Sequence, residues 1–259
     1  MLAALATPAV ADSPLVGLDR LEGATPWRAV GRLDIGTSGF CTGTLIAPDL
    51  VLTAAHCTVD GEGRPRDASS LRFRAGFRSG HTAAERDVVQ IARPAAYDPA
   101  DANYMTRISN DVALLRLAEP IATHVISPFN VEPLPARDGE VSVVSYGRGR
   151  ESLPSIQRVC QIVDQFQGVM AMDCDTTFGS SGAPVFRRDG TLFRIVSIVS
   201  GGADINGTER TVGMALPDRV AELKETMRAA RAGPTPAVRR IGVGNRGAGG
   251  AKFLRPGGS

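Results

Sequence analysis

Three side chains in this sequence are of the types that together can split an acyl bond: the hydroxyl of Ser181, the imidazole of His56 and the carboxylate of Asp111. Ser181 stands in Asp175-Thr176-Thr177-Phe178-Gly179-Ser180-Ser181-Gly182-Ala183-Pro184, where Gly179, Gly182 and Ala183 strip away side-chain bulk. A carbonyl group can therefore approach both the hydroxyl and the neighbouring backbone N–H groups, as an acyl-transfer nucleophile requires. Taken alone, the stretch reads equally as a small-residue turn between strands. A serine hydroxyl does not ionise near neutral pH. It needs a base within hydrogen-bond reach, and an imidazole can both take the proton and return it to a leaving amine. His56 is the candidate, because His81 and His124 lie in loop-like surroundings and read as surface residues. Asp111 opens the apolar run Val112 to Leu117; its carboxylate would accept the other imidazole N–H, and its plainer reading is a solvated strand end.

The histidine closes a longer stretch, Gly39-Phe40-Cys41-Thr42-Gly43-Thr44-Leu45-Ile46-Ala47-Pro48-Asp49-Leu50-Val51-Leu52-Thr53-Ala54-Ala55-His56-Cys57, and the aspartate sits in Ser109-Asn110-Asp111-Val112-Ala113-Leu114-Leu115-Arg116-Leu117. On these motifs, in the chain order His, Asp, Ser, the sequence from about Thr25 to Met227 resembles the trypsin and chymotrypsin family of serine endopeptidases. The resemblance implies a catalytic triad of His56, Asp111 and Ser181, with the backbone N–H groups of Gly179 and Ser181 as the oxyanion hole, and no metal or organic cofactor. It also implies a Cys41–Cys57 bridge that would pin His56. Asp175 falls six residues before Ser181, the offset of the carboxylate that binds Lys or Arg side chains in trypsin-like enzymes. Ser200-Gly201-Gly202 matches the segment that pairs with substrate backbone, and Gly202 and Gly213 would leave the pocket unobstructed.

Two departures from the family pattern carry information. Family members activated by proteolysis have an aspartate just before the nucleophile, which pairs with a freed N-terminal ammonium; here that position is Ser180. Activity should therefore not depend on a newly buried N-terminus, and the stretch from Cys174 to Phe186 resembles bacterial, V8-like members instead. Ala183 stands where glycine is usual. For Asp175 a second reading stays open, a carboxylate bonding local backbone N–H groups. If it faces the cleft, it disfavours acidic substrate side chains, since like charges repel.

The elements that must position these residues are mostly short strands. Strand signals run through 27–33, 40–47, 50–53, 71–77, 87–91 and 112–117, and a proline-rich connection spans 118–137. They resume at 141–146, 156–166, 169–172, 184–186, 191–200 and 211–216, with hairpin turns at Gln167-Gly168 and Asp189-Gly190. One clear helix follows at 219–231. The predicted class is all-β, two six-stranded antiparallel β-barrels with a C-terminal helix. The expected organisation is a signal-like segment at 1–11, an N-terminal surface segment at 12–25, a first barrel at 26–120, a second half comprising linker, barrel and helix at 121–231, and a disordered basic tail at 232–259.

Composition narrows the class further. With 259 residues and 43% apolar content the chain can bury a large core. Residues 1–227 carry 22 basic and 27 acidic residues, so the positive excess is confined to the tail, and nothing in the body argues for a nucleic-acid partner. Ala9-Val10-Ala11 reads as an A-x-A cleavage site, and no run reaches the roughly 18 apolar residues of a membrane span, so no membrane anchoring is expected. The four cysteines fall into two short-range pairs, and Cys160 and Cys174 flank the Gln167-Gly168 hairpin that would bring them together. A Cys160–Cys174 bridge suits an oxidising compartment; four reduced core thiols are the alternative. The combined expectation is a secreted or periplasmic monomeric serine endopeptidase acting on protein or peptide substrates. Its rivals are a catalytically inactive binding protein on the same fold and a quality-control protease.

Overall fold

Alternating burial along short β-branched and aromatic segments organises the computed structural model, which describes residues 13–37, 39–135 and 139–232. The signal-like segment and the basic tail lie outside the described residues. The chain opens with strand β1 (Leu15–Gly17) and a single helical turn, α1 (Leu21–Ala24). It then builds β2 (Val30–Ile35), β3 (Gly39–Ala47), β4 (Leu50–Thr53), β5 (Leu71–Ala75) and β6 (Ala84–Ala92). A short helix, α2 (Tyr104–Ser109), precedes β7 (Ala113–Leu117), and these six strands close into a barrel in the order β2-β3-β4-β7-β6-β5. Leu33, Leu45, Leu52, Phe73, Leu114 and Leu115 are fully buried.

The second half repeats the same connectivity. Strands β8 (Glu140–Gly147), β9 (Arg150–Phe166), β10 (Val169–Met172), β11 (Pro184–Asp189), β12 (Leu192–Ile205) and β13 (Thr208–Met214) are neighbours in the order β8-β9-β10-β13-β12-β11, and β11 pairs back to β8. Helix α3 (Pro217–Ala232) follows and packs against β6 and β7 of the first barrel. Both halves are thus antiparallel six-stranded barrels, as the sequence predicts. Trp27 is an aromatic anchor between them: its ring centroid lies 5.2 Å from that of Phe186, 4.7 Å from Phe193 and 6.1 Å from Phe129. Such ring pairs are worth about 0.5–1.5 kcal/mol each beyond their buried area.

The structure differs from the sequence reading at three places. Residues 12–25 do more than cover the surface, because β1 pairs with Ser155 to Gln157 of β9 and so adds a seventh strand to the second sheet. Between the strand signals at 87–91 and 112–117, where the sequence shows no element, lies α2. That helix is too short to show apolar periodicity, and its signal is the capping residue Asn103, whose side chain accepts from the N–H groups of Met105 and Thr106. Finally, β12 runs on to Ile205 and turns at Asn206-Gly207 into β13, three residues earlier than Thr211. The small residues Gly201 and Gly202 hide this extension, since they carry no strand signal.

Candidate active site

Antiparallel pairing of β4 with β7 places Thr53 opposite Ala113, and this register brings the turn after β4 against the turn before β7. His56 lies in the first, a 3₁₀ turn over Ala55–Thr58, and Asp111 in the second. The backbone N–H of His56 donates to Oδ1 of Asp111 at 2.8 Å, and His56 Nδ1 lies 2.7 Å from Oδ2. An ionised carboxylate can only accept, so the ring proton sits on Nδ1 and Nε2 keeps its lone pair. Ser200 Oγ donates a third hydrogen bond to the same carboxylate, which is 3% exposed. Burial acts to lower the imidazole pKa, but the charge of Asp111 and its hydrogen bond outweigh that effect, and the net shift is upward. The ring nevertheless opens to solvent on one side, with 36% of its side chain exposed. The Cys41–Cys57 disulfide ties β3 to this turn. These two sulfurs and the His56 ring cluster within 4.8 Å, but the sulfurs are bonded to each other and offer no thiolate to a metal.

The serine turn is built by contacts from elsewhere. Thr42 of β3 grips it twice: its N–H donates to the Ser181 carbonyl at 2.9 Å, and its hydroxyl donates to the Gly179 carbonyl at 2.8 Å. The Phe178 carbonyl accepts from the N–H of Arg148 at 2.8 Å, so in a trans peptide the Gly179 N–H faces the opposite way. Among the described residues neither the Gly179 nor the Ser181 N–H has a hydrogen-bond acceptor, while those of Ser180 and Gly182 bond Thr177 and Val199. Gly182 is demanded by geometry. Its φ is +78°, and a Cβ there would meet Thr53 Oγ1 at 2.3 Å and the Thr42 carbonyl at 2.4 Å. Gly179, at φ +96°, presses on the Phe40 ring in the same way.

Beneath the turn, Ser180 is fully buried, and its Oγ donates to the Tyr146 carbonyl at 3.2 Å. The Arg150 guanidinium lies 3.3 Å from the same Oγ and also donates to the carbonyl and hydroxyl of Ser145. A cation from β9 thus stands where the resemblance places an ammonium. Burial lowers the Arg150 pKa and the charge of Asp175 works against that shift.

A cleft of about 360 Å³ brings His56 and Ser181 together with Phe40, Cys57, Arg148 and Phe178. Phe178 is 73% exposed and lies under the Arg148 guanidinium, 4.3 Å from ring centroid to cation. The other predicted binding residues do not line this cleft. Asp175 is exposed, with its N–H on Gln157 Oε1 at 2.6 Å, and follows Cys174, which is bridged to Cys160. Thr176 and Thr211 join hydroxyls at 2.7 Å, and Thr211 donates on to the Cys174 carbonyl. Gly202 carries Glu209 over its face, since a Cβ there would meet Oε1 at 3.0 Å. Gly213 packs closely against the neighbouring strand, since a Cβ there would meet the Ile198 carbonyl at 2.2 Å and Ser197 Oγ at 2.4 Å. Thr42, Arg148, Arg150 and Glu209 escape sequence reasoning, because each acts across a separation along the chain that no local pattern reports. Thr42 lies inside the quoted histidine stretch, but nothing there marks it as a clamp.

The chain is similar in sequence and in fold to known proteins. A family model described as trypsin-like peptidase domain matches residues 41–193. CLIP domain-containing serine protease B15 of Anopheles gambiae is 28% identical over 244 residues, covering 79% of this chain and 66% of that protein. Brachyurin of Leptuca pugilator is 30% identical over 159 residues, covering 59% of this chain and 64% of that protein. The chain therefore spans under two-thirds of the length of these relatives. Among solved structures, a Glu endopeptidase in complex with MPD matches at a TM-score of 0.67 and 18% identity over 86% of this chain and 98% of that one. Protease Anisep from Arthrobacter nicotinovorans matches at 0.63 and 18% over 83% and 100%. At that identity the two structures speak for the fold alone.

Proposed function

Because the chain belongs to the trypsin-like peptidase family, we propose that it is an exported serine endopeptidase working through His56, Asp111 and Ser181. The observation that carries this reading is the doubly bonded His56–Asp111 pair opening onto the same cleft as Ser181. As the Ser181 Oγ–carbon bond forms at the substrate carbonyl, Nε2 of His56 takes the hydroxyl proton, and the imidazolium then gives it to the departing amine. Asp111 holds the ring in the required tautomer and offsets the imidazolium charge. Water repeats the sequence on the acyl-enzyme, releasing the carboxylic acid and restoring the serine. The unpaired N–H groups of Gly179 and Ser181 would take the carbonyl oxygen as it becomes an oxyanion; one such donor is worth about 2.7–4 kcal/mol in a well-studied serine protease. Ser180 and Arg150 support a turn already formed without a freed N-terminus.

For the residue before the scissile bond we carry forward Lys or Arg. Glu209 sets an exposed carboxylate against Gly202, and Asp175 adds a second beside Thr176, which bonds Thr211 opposite Gly202; this negative charge favours cationic over acidic side chains and would set this chain apart from the Glu endopeptidase it resembles in fold. Two disulfides fit an oxidising compartment, and among the described residues no helix is long and apolar enough to cross a membrane. The test is labelling of the full, unprocessed chain by a fluorophosphonate probe. Labelling is expected in wild type and lost in Ser181→Ala and His56→Ala, with Ser181→Ala lowering kcat about a millionfold. A folded wild-type chain that stays unlabelled overturns the reading.

A further inference from the structure

A second hollow, of about 230 Å³, shares no residue with the active-site cleft. It opens where the segment before β2, the turn between β5 and β6, and β9 meet, and its apolar walls include Leu21, Val125 and Pro154. Leu21 and Val125 leave 52% and 45% of their surface exposed. The charged groups among the walls are all of one kind. Arg28, Arg78 and His81 line the hollow, and no carboxylate does. The half-buried Arg28 guanidinium has no hydrogen bond or ion pair among the described residues. Arg78 has one bond, from Nη1 to the Asp19 carbonyl at 2.6 Å, which fixes the side chain and leaves its charge unmatched. The backbones of Arg78 and His81 exchange N–H···O bonds of 2.7 and 2.9 Å, so both side chains stand on one short hairpin.

Trp27 also lines the hollow. It is only 5% exposed, yet its indole N–H has no acceptor among the described residues. A buried indole N–H ordinarily finds one, so this donor calls for an explanation. The acidic residues closest in sequence to the walls are Asp19, Glu22, Glu85 and Glu151, and none of them lines the hollow. Glu85 is paired with Arg72 and Arg74, and Glu151 accepts from the Gly149 N–H. The stretch 228–259, with seven basic residues and no acidic ones, has the wrong charge to fill it.

We propose that this hollow binds a small anionic amphiphile, a carboxylate carried on a short aliphatic chain. The carboxylate takes the guanidinium donors of Arg28 and Arg78, and the chain covers Leu21, Val125 and Pro154. The volume lies below the roughly 300–1,000 Å³ of drug-sized pockets, so the chain is short. Because Trp27 also packs on Phe129, Phe186 and Phe193, the ligand braces the junction of the two barrels and stabilises the folded state. The site is independent of the endopeptidase reading, so it is tested in Ser181→Ala.

Trp27 is the single tryptophan of the chain, so its emission reports on this hollow without competition. The full chain is titrated with octanoate, with octylammonium, which keeps the tail and reverses the charge, and with acetate, which keeps the head and drops the tail. Octanoate is expected to change Trp27 emission saturably and, at about a hundredfold excess over its Kd, to raise Tm by about 5–10 °C. Acetate should bind at least about a hundredfold more weakly, and octylammonium should give no saturable change. Arg28→Gln and Arg78→Gln should each weaken octanoate about tenfold, the loss of one charge-assisted hydrogen bond. Leu21→Ser, at an exposed position, should weaken octanoate about threefold through the tail alone. The site is overturned if octanoate does not saturate, or if octylammonium binds as well as octanoate does. It is equally overturned if acetate matches octanoate, which removes the tail, or if both arginine variants bind as wild type does, which removes the head.

Discussion

The two banks of the cleft are held by different means. On one bank, His56 and Asp111 stand in turns at the paired ends of β4 and β7 and are joined by two hydrogen bonds of their own, the Cys41–Cys57 disulfide ties the His56 turn to β3, and among the described residues Ser200 alone hydrogen-bonds the pair from the other barrel. On the other bank, Ser181 sits in no regular element. Its turn is fastened by the Arg148 N–H, by Val199 and above all by Thr42, whose hydroxyl bond to Gly179 spans 137 positions. The base is thus placed by strand register within one barrel, and the nucleophile by docking one barrel onto the other. Damage to the first bank should change proton chemistry; damage to the second should change position and stability.

The sharpest way to break the first bank is Asp111→Asn. The amide keeps the shape but removes the charge that outweighs burial at His56, and it can present a donor where only an acceptor serves. kcat is expected to fall about ten-thousandfold, the size seen for the equivalent change in the best-studied serine protease. The pH profile carries the direction. The base must be unprotonated to act, so a raised His56 pKa puts the acid limb of kcat/KM above the ordinary imidazole value of 6.5, with activity lost as pH falls through it. In the Asn variant that limb should move to lower pH, and an unmoved limb would mean that Asp111 does not set it.

On the second bank, Gly182→Ala adds one methyl at a positive φ and within 2.4 Å of a backbone carbonyl of the first barrel. Strain and overpacking together should cost about 3 kcal/mol, lowering Tm by about 10 °C for a chain of this size. Gly61→Ala, with open space around it and an ordinary φ, is the control and should shift stability by no more than about 0.5 kcal/mol. Thermal unfolding of both variants checks the contrast, and equal losses would deny the inter-barrel role of Gly182.

The same division explains what the sequence discloses. His56 and Asp111 lie beside unbroken apolar runs, and Ser181 within a stretch emptied of side chains, so residue type and order suffice to nominate them. The barrels are legible for the same reason, since most strand signals are local. What is not legible acts between distant segments. Thr42 reads as one more strand residue, Arg150 carries no signal of its own, and Gly201-Gly202 show no strand propensity, although the last two continue β12. Gly213 shows the same limit, because the sequence does not disclose that a Cβ there would fall 2.2 Å from the Ile198 carbonyl of the neighbouring strand.

Thr42→Val is the mildest of these tests and separates the banks most cleanly. Valine keeps the β-branched shape and the backbone N–H, so the bond to the Ser181 carbonyl survives. The hydroxyl does not, and with it go the donor to the Gly179 carbonyl and the acceptor for the Tyr146 N–H at 3.1 Å, leaving two buried backbone groups unpaired. Stability should drop by about 2 kcal/mol, and kcat by about tenfold with little change in KM, because freeing the 179–180 peptide loosens the turn that positions the Gly179 N–H and the Ser181 hydroxyl while the substrate still finds the same surface. Thr42→Ser restores the hydroxyl and should recover most of the rate. The acid limb of the pH profile must stay where it is in wild type, since nothing around His56 has been touched. Were that limb to move along with kcat, the two banks would be coupled through Thr42, and the separation between register-held base and docked nucleophile would not stand.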